Sequence, residues 1–295
     1  QNWGNTIIIK HAESLYSKLS HLKKDSFEVA KGDFIKKGDL LATCGNSGRS
    51  PKPHLHFQVQ ENPFIGSKTR EYPFGFYMER NGSRHELMTF DVPQQECLVS
   101  NIQVNKSLKR AFHFVPGQSL KFQVKDLQQQ TQMMEEWEVR TDIFNNMFIY
   151  CMRTGSKAYF KQDDGIHYFT FFEGNRKSLL YYFYLAAFKV VYGYYEDLKI
   201  KDTLPANVIP AHFMGVIQDF FAPLFQVIRV VYSMKYLSFE DDFEDSKVHM
   251  RSKTRLMFRK IVKKEFRFDI LVEDNVIQSI QVKTHNKAFE AKCVK

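Results

Sequence analysis

The sequence lacks any long hydrophobic run. Its longest stretch free of Asp, Glu, Lys and Arg covers residues 203–218 and is interrupted by Pro205 and Pro210. Such a stretch is too short and too broken to span a bilayer as a helix. The first residues also lack the basic and apolar regions that are typical of a secretory signal peptide.

Cysteine is scarce, and its four copies are widely separated. No two of them have the spacing of a metal site or a redox motif, and together they form no pattern typical of a disulfide framework. Whether any pair forms a disulfide stays open.

The composition excludes wholesale disorder and a collagen-like structure, because 43% of the 295 residues are hydrophobic and 25% are charged. This length suffices for one large domain or two ordinary ones. The net charge of +9 favours anionic partners such as envelope polymers or lipid headgroups. A surface with excess lysine explains it as well, and we expect no nucleic-acid partner.

Methionine is missing from the first position. The chain begins with Gln1, and strand-like sequence follows almost at once. We therefore expect this chain to be either a processed protein or a piece of a longer one.

Residues 1–60 have the pattern of a compact sheet with tight turns. Asn5–Lys10 is rich in β-branched residues, Leu15–His21 alternates apolar and polar residues, and Phe27–Thr43 is interpreted as short strands. Two Lys-Gly-Asp steps, around Gly32 and Gly38, are typical of turns.

Prolines and glycines interrupt residues 61–98, which we interpret as a linking segment with one or two strands. Beyond residue 100, three strand-like runs punctuated by glycines predict a β-meander. These runs are Phe148–Arg153, Lys157–Lys161 and Ile166–Glu173.

Two apolar segments predict helices. The first is capped by Asn175 and runs to Tyr195, and the second is Phe213–Leu237 with a kink at Pro223.

The last part of the chain combines charge with strand patterns. Glu240–Asp245 is interpreted as a solvated acidic turn, and Phe266–Val272 and Val276–Lys283 flank residues typical of a hairpin turn. The basic stretch Arg251–Lys264 fits either binding of an anionic polymer or lipid, or a strand with a solvated basic face.

The chemistry lies in the stretch Gly45–Val59, GNSGRSPKPHLHFQV. His54 and His56 stand two apart in a strand-like context, and such residues point to the same face of a sheet. Two imidazoles projecting side by side suit a metal ligand paired with a proton-transfer group. Taken alone, a His-x-His pair is more often two partly buried histidines, so the surrounding motifs decide.

Those motifs resemble the second half of a known family. They are, in order, GNTIIIKH, Ser20-His21-Leu22, VAKGDFIKKGDLLATCGNSGRS and PHLHFQV. Over residues 2–60 the chain resembles the lysostaphin/LytM-type zinc metallopeptidases, which are peptidoglycan endopeptidases. The resemblance implies the antiparallel sheet of such a domain and zinc-dependent hydrolysis of peptide bonds in peptidoglycan.

The resemblance also implies roles for individual histidines. His56 matches a zinc ligand, His54 a catalytic histidine beside the metal, and His21 the other catalytic histidine. Zinc would make hydroxide available near neutral pH, while His21 and His54 would accept a proton and stabilise the oxyanion. His11 stands where the family often has a histidine, and we interpret it as an ordinary residue at a strand end.

The family pattern is incomplete in this chain. A catalytic zinc site needs three protein ligands, and the family takes the other two from an upstream His-x-x-x-Asp motif that residues 1–60 do not contain. One explanation is a fragment, whose parent is a metalloendopeptidase and which is inactive alone. The alternative is a non-catalytic wall-binding or regulatory protein on a degenerate scaffold. The retention of His21, His54 and His56 favours the fragment.

A biotinyl or lipoyl carrier module has a similar sheet texture. It needs an exposed lysine flanked by Met or Asp at a hairpin tip, which residues 1–60 do not offer, and it leaves the His-Leu-His strand unexplained. We therefore reject this alternative.

The predicted fold is mostly β or α+β. Residues 1–62 are expected to form the C-terminal portion of a LytM-type peptidase domain with an antiparallel sheet. Residues 63–98 link it to residues 99–295, a β-rich accessory domain with one or two helices.

The order of these segments weakly resembles envelope proteins in which such a peptidase follows an integral-membrane channel of the urea-transporter type. We accordingly expect a protein of the bacterial cell envelope, periplasmic or extracellular. It would act on peptidoglycan peptides and have a membrane-anchored region upstream.

Overall fold

Strands dominate the computed structural model, which describes residues 2–210, 228–241 and 246–294. The described residues contain two short helices, α1 (Lys106–Phe112) and α2 (Leu179–Ala186). The prediction of a mostly β fold with a β-rich accessory region is confirmed. Within the described ranges, no helix has both the length and the apolar composition needed to cross a membrane.

The chain divides into two compact units. The first comprises Gln1–Gly75 and Phe90–Val92, and the second comprises Phe76–Thr89 and Pro93–Lys295.

The first unit contains an antiparallel sheet of four strands. They are β1 (Asn5–Ala12), β2 (Leu15–Leu22), β3 (His56–Gln60) and β4 (Thr69–Arg70), in the order β1-β2-β3-β4. Among the described residues of this unit, Leu22 is the one buried apolar side chain. The other buried side chains are polar: Ser17, Lys18, Ser20, His21, Gln58 and Gln60. This sheet is therefore packed mainly through polar groups.

The prediction of short strands within Phe27–Thr43 is wrong. Between β2 and β3 the structure shows a loop, whose one β-bridge joins Leu22 to Cys44. The two Lys-Gly-Asp steps do form turns, in which the carboxylates of Asp33 and Asp39 accept hydrogen bonds from backbone N–H groups three residues earlier. These local bonds satisfy backbone donors that a strand would have paired with a neighbour.

A separate three-stranded sheet is formed by β5 (Phe74–Asn81), β6 (Arg84–Asp91) and β7 (Leu98–Ser100), in the order β6-β5-β7.

The remaining strands in the described part of the chain form one antiparallel sheet of 12 strands. They are β8 (Ser119–Asp126), β9 (Gln132–Thr141), β10 (Met147–Cys151), β11 (Lys157–Gln162), β12 (Ile166–Glu173), β13 (Lys189–Val191), β14 (Lys199–Leu204), β15 (Ile228–Asp241), β16 (Ser246–Phe258), β17 (Ile261–Glu273), β18 (Val276–Lys283) and β19 (Ala288–Val294). Their order is β13-β12-β11-β10-β9-β8-β19-β18-β17-β16-β15-β14. The edge strands β13 and β14 lie next to each other, so the sheet curls round on itself.

Helix α2 lies inside this curled sheet, against β11, β12, β16 and β17. Every one of its side chains is buried. At its start, the Ser178 hydroxyl accepts the Tyr181 N–H and the buried carboxylate of Glu135 accepts the Leu180 N–H. These acceptors satisfy N–H groups that have no partner within the helix.

The end of α2 is held in the same way by the sheet. The hydroxyls of Tyr232 and Ser252 donate to the Ala186 carbonyl, and the Thr254 hydroxyl donates to the Leu185 carbonyl. The helix thus has no need of solvent at either end, which lets an apolar segment sit wholly within the core.

Both helix predictions need correction. The first helix starts after Ser178 rather than Asn175, and it ends at Ala186, because Val190 and Val191 pair with β12 as strand β13. Within Phe213–Leu237, residues 213–227 lie outside the described residues. Residues 228–237 belong to β15, where Ile228, Val230 and the alternate residues that follow them are buried in the period-two pattern of a strand.

The sequence patterns of strands and turns in the accessory region predicted its structure better than the two helix predictions did. The three runs predicted as a meander are β10, β11 and β12, paired in sequence. The predicted hairpin is β17 and β18, joined by Asp274 and Asn275 with φ of 52° and 67°. In the acidic run, residues 240 and 241 end β15, and residues 242–245 lie outside the described part of the chain.

Candidate functional site

Three histidines converge at the edge of the polar face of β2 and β3. His56 opens β3 directly opposite Ser20 of β2. His54 lies in the loop just before β3. His21 lies near the end of β2 with a φ of 63°, a left-handed backbone conformation that departs from the regular alternation of the strand. This backbone twist lets the His21 ring approach the other two.

The rings lie close together. The centroid of His21 is 4.7 Å from that of His54 and 6.0 Å from that of His56. Trp3 covers the group, with its centroid 4.7 Å from His56 and 6.5 Å from His21. The structure thus brings together the three residues that the sequence motif singled out.

The glycine-rich loop before His54 owes its composition to close backbone approach. A Cβ atom on Gly48 would lie 2.3 Å from the Gly4 backbone nitrogen, and one on Gly45 would lie 2.4 Å from the Lys23 backbone nitrogen. Gly48 also has a φ of +72°. Only glycine fits such positions without displacing the neighbouring chain.

Ser47 sits at the centre of this loop and ties it to β1 and β2. Its hydroxyl accepts the Asn5 N–H at 2.9 Å and donates to the Leu22 carbonyl at 2.7 Å. Its backbone carbonyl lies 2.8 Å from Nδ1 of His21. The loop therefore fixes the His21 ring as well as leading into His54.

Backbone carbonyls determine which nitrogen of two rings carries the proton. A carbonyl oxygen can only accept, so Nδ1 of His21 donates to Ser47, and Nδ1 of His54 donates to the Lys52 carbonyl at 2.8 Å. In the neutral form of each ring, Nε2 then keeps its lone pair. Both rings can accept a proton at Nε2.

His56 has the opposite arrangement, set by a chain of amides. Its Nε2 lies 3.0 Å from Oε1 of Gln58, whose Nε2 donates to Oε1 of Gln60 at 2.8 Å and to the Ser67 carbonyl at 3.3 Å. The Gln60 amide in turn donates to the carbonyls of residues 62 and 64. These carbonyls fix both amides, so Gln58 presents an acceptor, Nε2 of His56 is protonated and Nδ1 is left with a lone pair.

Lys18 belongs to the same face, although no sequence motif pointed to it. It pairs with Gln58 across the two strands, it is completely buried, and its Nζ has no hydrogen-bond partner within the described residues. The Nζ lies 3.2 Å from the centroid of the Trp3 ring, a cation–π contact. Burial lowers the pKa of Lys18. Alternation along β2 identifies Lys18 as a polar residue of the strand. It does not predict that Lys18 is buried, because the covering residue, Trp3, lies outside that strand.

His11 lies apart from this group, near the end of β1, where its ring contacts the Ser17 hydroxyl at 2.7 Å. A groove of about 1030 Å³ lies elsewhere in the same unit, lined by residues of β1 and of the 27–41 segment. None of the three converging histidines lines it.

The residues present do not fit a complete zinc site. His56 has the ligand character that zinc needs, a lone pair on one nitrogen and a fixed partner on the other. Across the residues that the structure describes, however, no group of three or more His, Cys, Asp or Glu side chains is arranged to hold a metal ion. The three histidine rings lie close together without forming such a group.

Comparison with known proteins agrees with the motif. Residues 1–66 match the model of peptidase family M23. The resemblance of residues 2–60 to the lysostaphin/LytM-type peptidases is thereby confirmed. Members of this family are generally metallopeptidases. We refer to residues 1–66 as the M23 segment.

Curated relatives match this chain over short regions. Peptidoglycan DD-endopeptidase ShyB of Vibrio cholerae is 43% identical over 56 residues, which cover 19% of this chain and 13% of that protein. DD-carboxypeptidase/endopeptidase Mpg of Neisseria meningitidis is 33% identical over 60 residues, covering 20% and 13%. Cell division protein DipM of Caulobacter vibrioides is 28% identical over 68 residues, covering 23% and 11%.

The matched region thus spans only about an eighth of the length of these relatives. The family match ends at residue 66, before the second unit begins at Phe76. No solved structure matches the chain significantly.

Proposed function

We propose that the M23 segment forms part of a peptidase that hydrolyses peptide bonds in peptidoglycan. The observation that carries the proposal is the convergence of His21, His54 and His56 within a segment that matches a peptidase family. Two of the relatives that match a short region of the chain, ShyB and Mpg, are named for peptidase activity. We also propose that the protein acts in the bacterial cell envelope, on its periplasmic or outer side.

The histidines suit the proton transfers of amide hydrolysis. Either His21 or His54 can accept a proton at Nε2 from a water that attacks the peptide carbonyl. The imidazolium so formed can donate that proton to the leaving amine. The second ring, when protonated, can donate a hydrogen bond to the oxyanion that develops on the carbonyl oxygen.

We further propose that the reaction depends on zinc, with Nδ1 of His56 as one ligand. The family and the fixed tautomer of His56 support this role. The other ligands would have to come from residues outside those described, such as the upstream His-x-x-x-Asp motif of the family. A zinc titration of the present chain should therefore show no tight stoichiometric site. A tight site that survives His56→Ala would contradict the assignment.

The proposed activity is tested with the full-length gene product that contains this chain. Release of soluble peptides from isolated peptidoglycan is measured for the wild type, His54→Ala and His56→Ala. We expect each substitution to lower the rate by on the order of 100-fold. His285→Ala is the control, because His285 is exposed and lies in a turn of the second unit. Equal rates for all variants would contradict the proposal.

The second candidate is a non-catalytic protein that binds the cell wall or regulates its enzymes. Two observations favour it: the lack of a three-ligand group among the described residues, and the Lys18 amine on the face that carries His56, which has no hydrogen-bond partner in the described structure. DipM, one of the relatives, is named as a cell division protein. If the full-length wild type sediments with peptidoglycan and releases no peptide from it, this candidate replaces the first.

A further inference from the structure

The turns of the 12-stranded sheet segregate charge between its two ends. In an antiparallel sheet, successive turns alternate between ends. The strand order and pairing therefore place residues 127–131, 152–156, 174–178, 205–210, 259–260 and 284–287 at one end. They place residues 142–146, 163–165, 192–198 and 274–275 at the other.

At the first end, every Asp, Glu, Lys or Arg in these described turns is basic. The residues are Arg153, Arg176, Lys177, Arg259, Lys260 and Lys287. At the second end, every such residue is acidic. The residues are Asp142, Asp163, Asp164, Glu196, Asp197 and Asp274. We call the two the basic end and the acidic end. Helix α1 adds a cation near the acidic end, where Lys109 pairs with Asp164 at 3.0 Å.

The turn between β16 and β17 extends the charge of the basic end and adds apolar surface. Lys263 and Lys264 follow Arg259 and Lys260 within a few residues, and all four side chains are exposed. Between these two pairs lie Ile261 and Val262, whose exposed fractions are 59% and 45%. Exposed aliphatic side chains framed by cations are the pattern of a surface that rests in a membrane interface.

Other turns at the basic end also expose apolar side chains. Leu127 and Met152, in the turns after β8 and β10, are 42% and 51% exposed. Within the described turns of this end there is no Phe, Tyr or Trp. Proteins that bind single-stranded nucleic acid rely on such rings for base stacking. The described turns of this end therefore offer cations and aliphatic groups, a combination that suits phosphate headgroups above acyl chains.

We propose that the basic end docks on an anionic phospholipid bilayer, with Ile261 and Val262 entering the interface and the surrounding lysines and arginines contacting lipid phosphates. The function proposed for the M23 segment is not needed for this docking, because every residue involved belongs to the second unit. The charge of the opposite end orients the unit, since the acidic end is repelled by the same lipids.

The test is sedimentation of the 295-residue chain with vesicles of equal parts phosphatidylcholine and phosphatidylglycerol. We expect the chain to sediment with these vesicles and not with pure phosphatidylcholine, and we expect salt to weaken the binding. Each cation near an anionic surface contributes roughly a fivefold increase in affinity. Lys260→Glu/Lys263→Glu should therefore lower binding by more than about tenfold, and Ile261→Ser/Val262→Ser should lower it as well.

Matched control variants test whether binding depends on the basic end itself, rather than on the total charge or the total exposed apolar surface of the chain. Lys199→Glu/Lys201→Glu reverses two exposed cations of β14, away from the turns of the basic end. Ile143→Ser/Phe144→Ser removes two apolar side chains of the acidic end that are 93% and 78% exposed. We expect both controls to bind like the wild type, with all variants checked by circular dichroism.

Two results would overturn the proposal. One is equal binding of wild type, control and basic-end variants to the vesicles. The other is binding of the chain to a soluble polyanion, such as double-stranded DNA or polyphosphate, without binding to the vesicles. The second result would assign the basic end to a soluble anionic polymer.

Discussion

The Gln58 amide decides which nitrogen of His56 carries a proton, because the amide is itself held by the Ser67 carbonyl and by Gln60. Such outer partners orient the ring and set its tautomer wherever a histidine acts as a ligand. The reactivity of His56 is therefore set by two uncharged residues of the same strand.

Gln58→Leu should release this control. Leucine accepts no hydrogen bond, so the neutral His56 ring should change from a single Nε2–H tautomer to a mixture of both. The measurement is the pair of ¹⁵N chemical shifts of the labelled imidazole at alkaline pH. Gln58→Glu keeps an acceptor and should keep the original tautomer, and Gln123→Leu on β8 is the control. An unchanged tautomer in Gln58→Leu would show that the amide chain has no such role.

His167 is a buried histidine of a different kind. Both of its ring nitrogens lack a partner in the described structure, and the rings of Phe112, Phe114, Phe160 and Phe169 surround it. Burial, with a smaller contribution from His113, lowers the pKa of His167 to about 3. The folded protein therefore keeps this ring neutral where an unfolded chain would protonate it.

This histidine should make the second unit sensitive to acid. The free energy of unfolding is not reduced by this group above about pH 6.5, the pKa of a histidine in the unfolded chain. As the pH falls from there towards the folded pKa of about 3, the free energy of unfolding decreases by up to about 1.4 kcal/mol per pH unit. Urea unfolding at pH 6.5 and pH 5 should thus show a loss of about 1.6 kcal/mol from this group. His167→Phe should lose less over the same interval, whereas His285→Phe, at an exposed position, should behave like the wild type. Identical pH dependence in all three would contradict this account.

At the scale of elements, the loop 45–48 shows how glycine composition supports the histidines. Gly48→Ala would place a methyl group 2.3 Å from the Gly4 nitrogen, so the loop and the Ser47 carbonyl must shift. We expect a loss of roughly 1–3 kcal/mol in the stability of the first unit.

The control for this substitution is Gly38→Ala. Gly38 also has a positive φ, of +100°, but a Cβ there would meet nothing within 4 Å. Its cost is conformational alone and should be about 1 kcal/mol. Amide hydrogen exchange in β1–β3 measures both variants. If they prove equally destabilised, close backbone approach is not the reason for Gly48.

The elements that could be predicted from sequence are those with local causes. The meander and the β17–β18 hairpin follow from alternation and turn residues that stand next to each other in the chain. The end of α2 depends on the pairing of Val190 and Val191 with β12, and the strand at 228–237 depends on a curled sheet that buries every second residue. Neither pairing is visible in a short window of sequence.

The same distinction holds for the site. His54 and His56 are found from one motif, because their spacing and their neighbours lie within a few residues. Lys18 and the Gln58–Gln60 chain become significant only when strand pairing sets Lys18 opposite Gln58 and Trp3 covers it. Buried polar groups of this kind are specified by three-dimensional contacts that sequence patterns do not record.

At the scale of the whole molecule, the two units differ in what holds them together. The second has an extensive apolar core around α2, whereas Leu22 is the one buried apolar side chain among the described residues of the first. Because apolar burial is the main stabilising contribution, the first unit should open more readily. Hydrogen exchange should show protection of β1–β3 amides at least about tenfold lower than that of β8–β12. Comparable protection in both would contradict the argument.

The position of β19 has a consequence for synthesis. It lies between β8 and β18, so among the described residues the strand pairing that joins β8–β13 to β14–β18 runs through residues 288–294. While the ribosome is still adding these residues, β8 has an unpaired edge and the apolar helix has an incomplete cover. Completion of this sheet must therefore wait until residues 288–294 have emerged, and we expect the unpaired edge of β8 to be prone to aggregation until then.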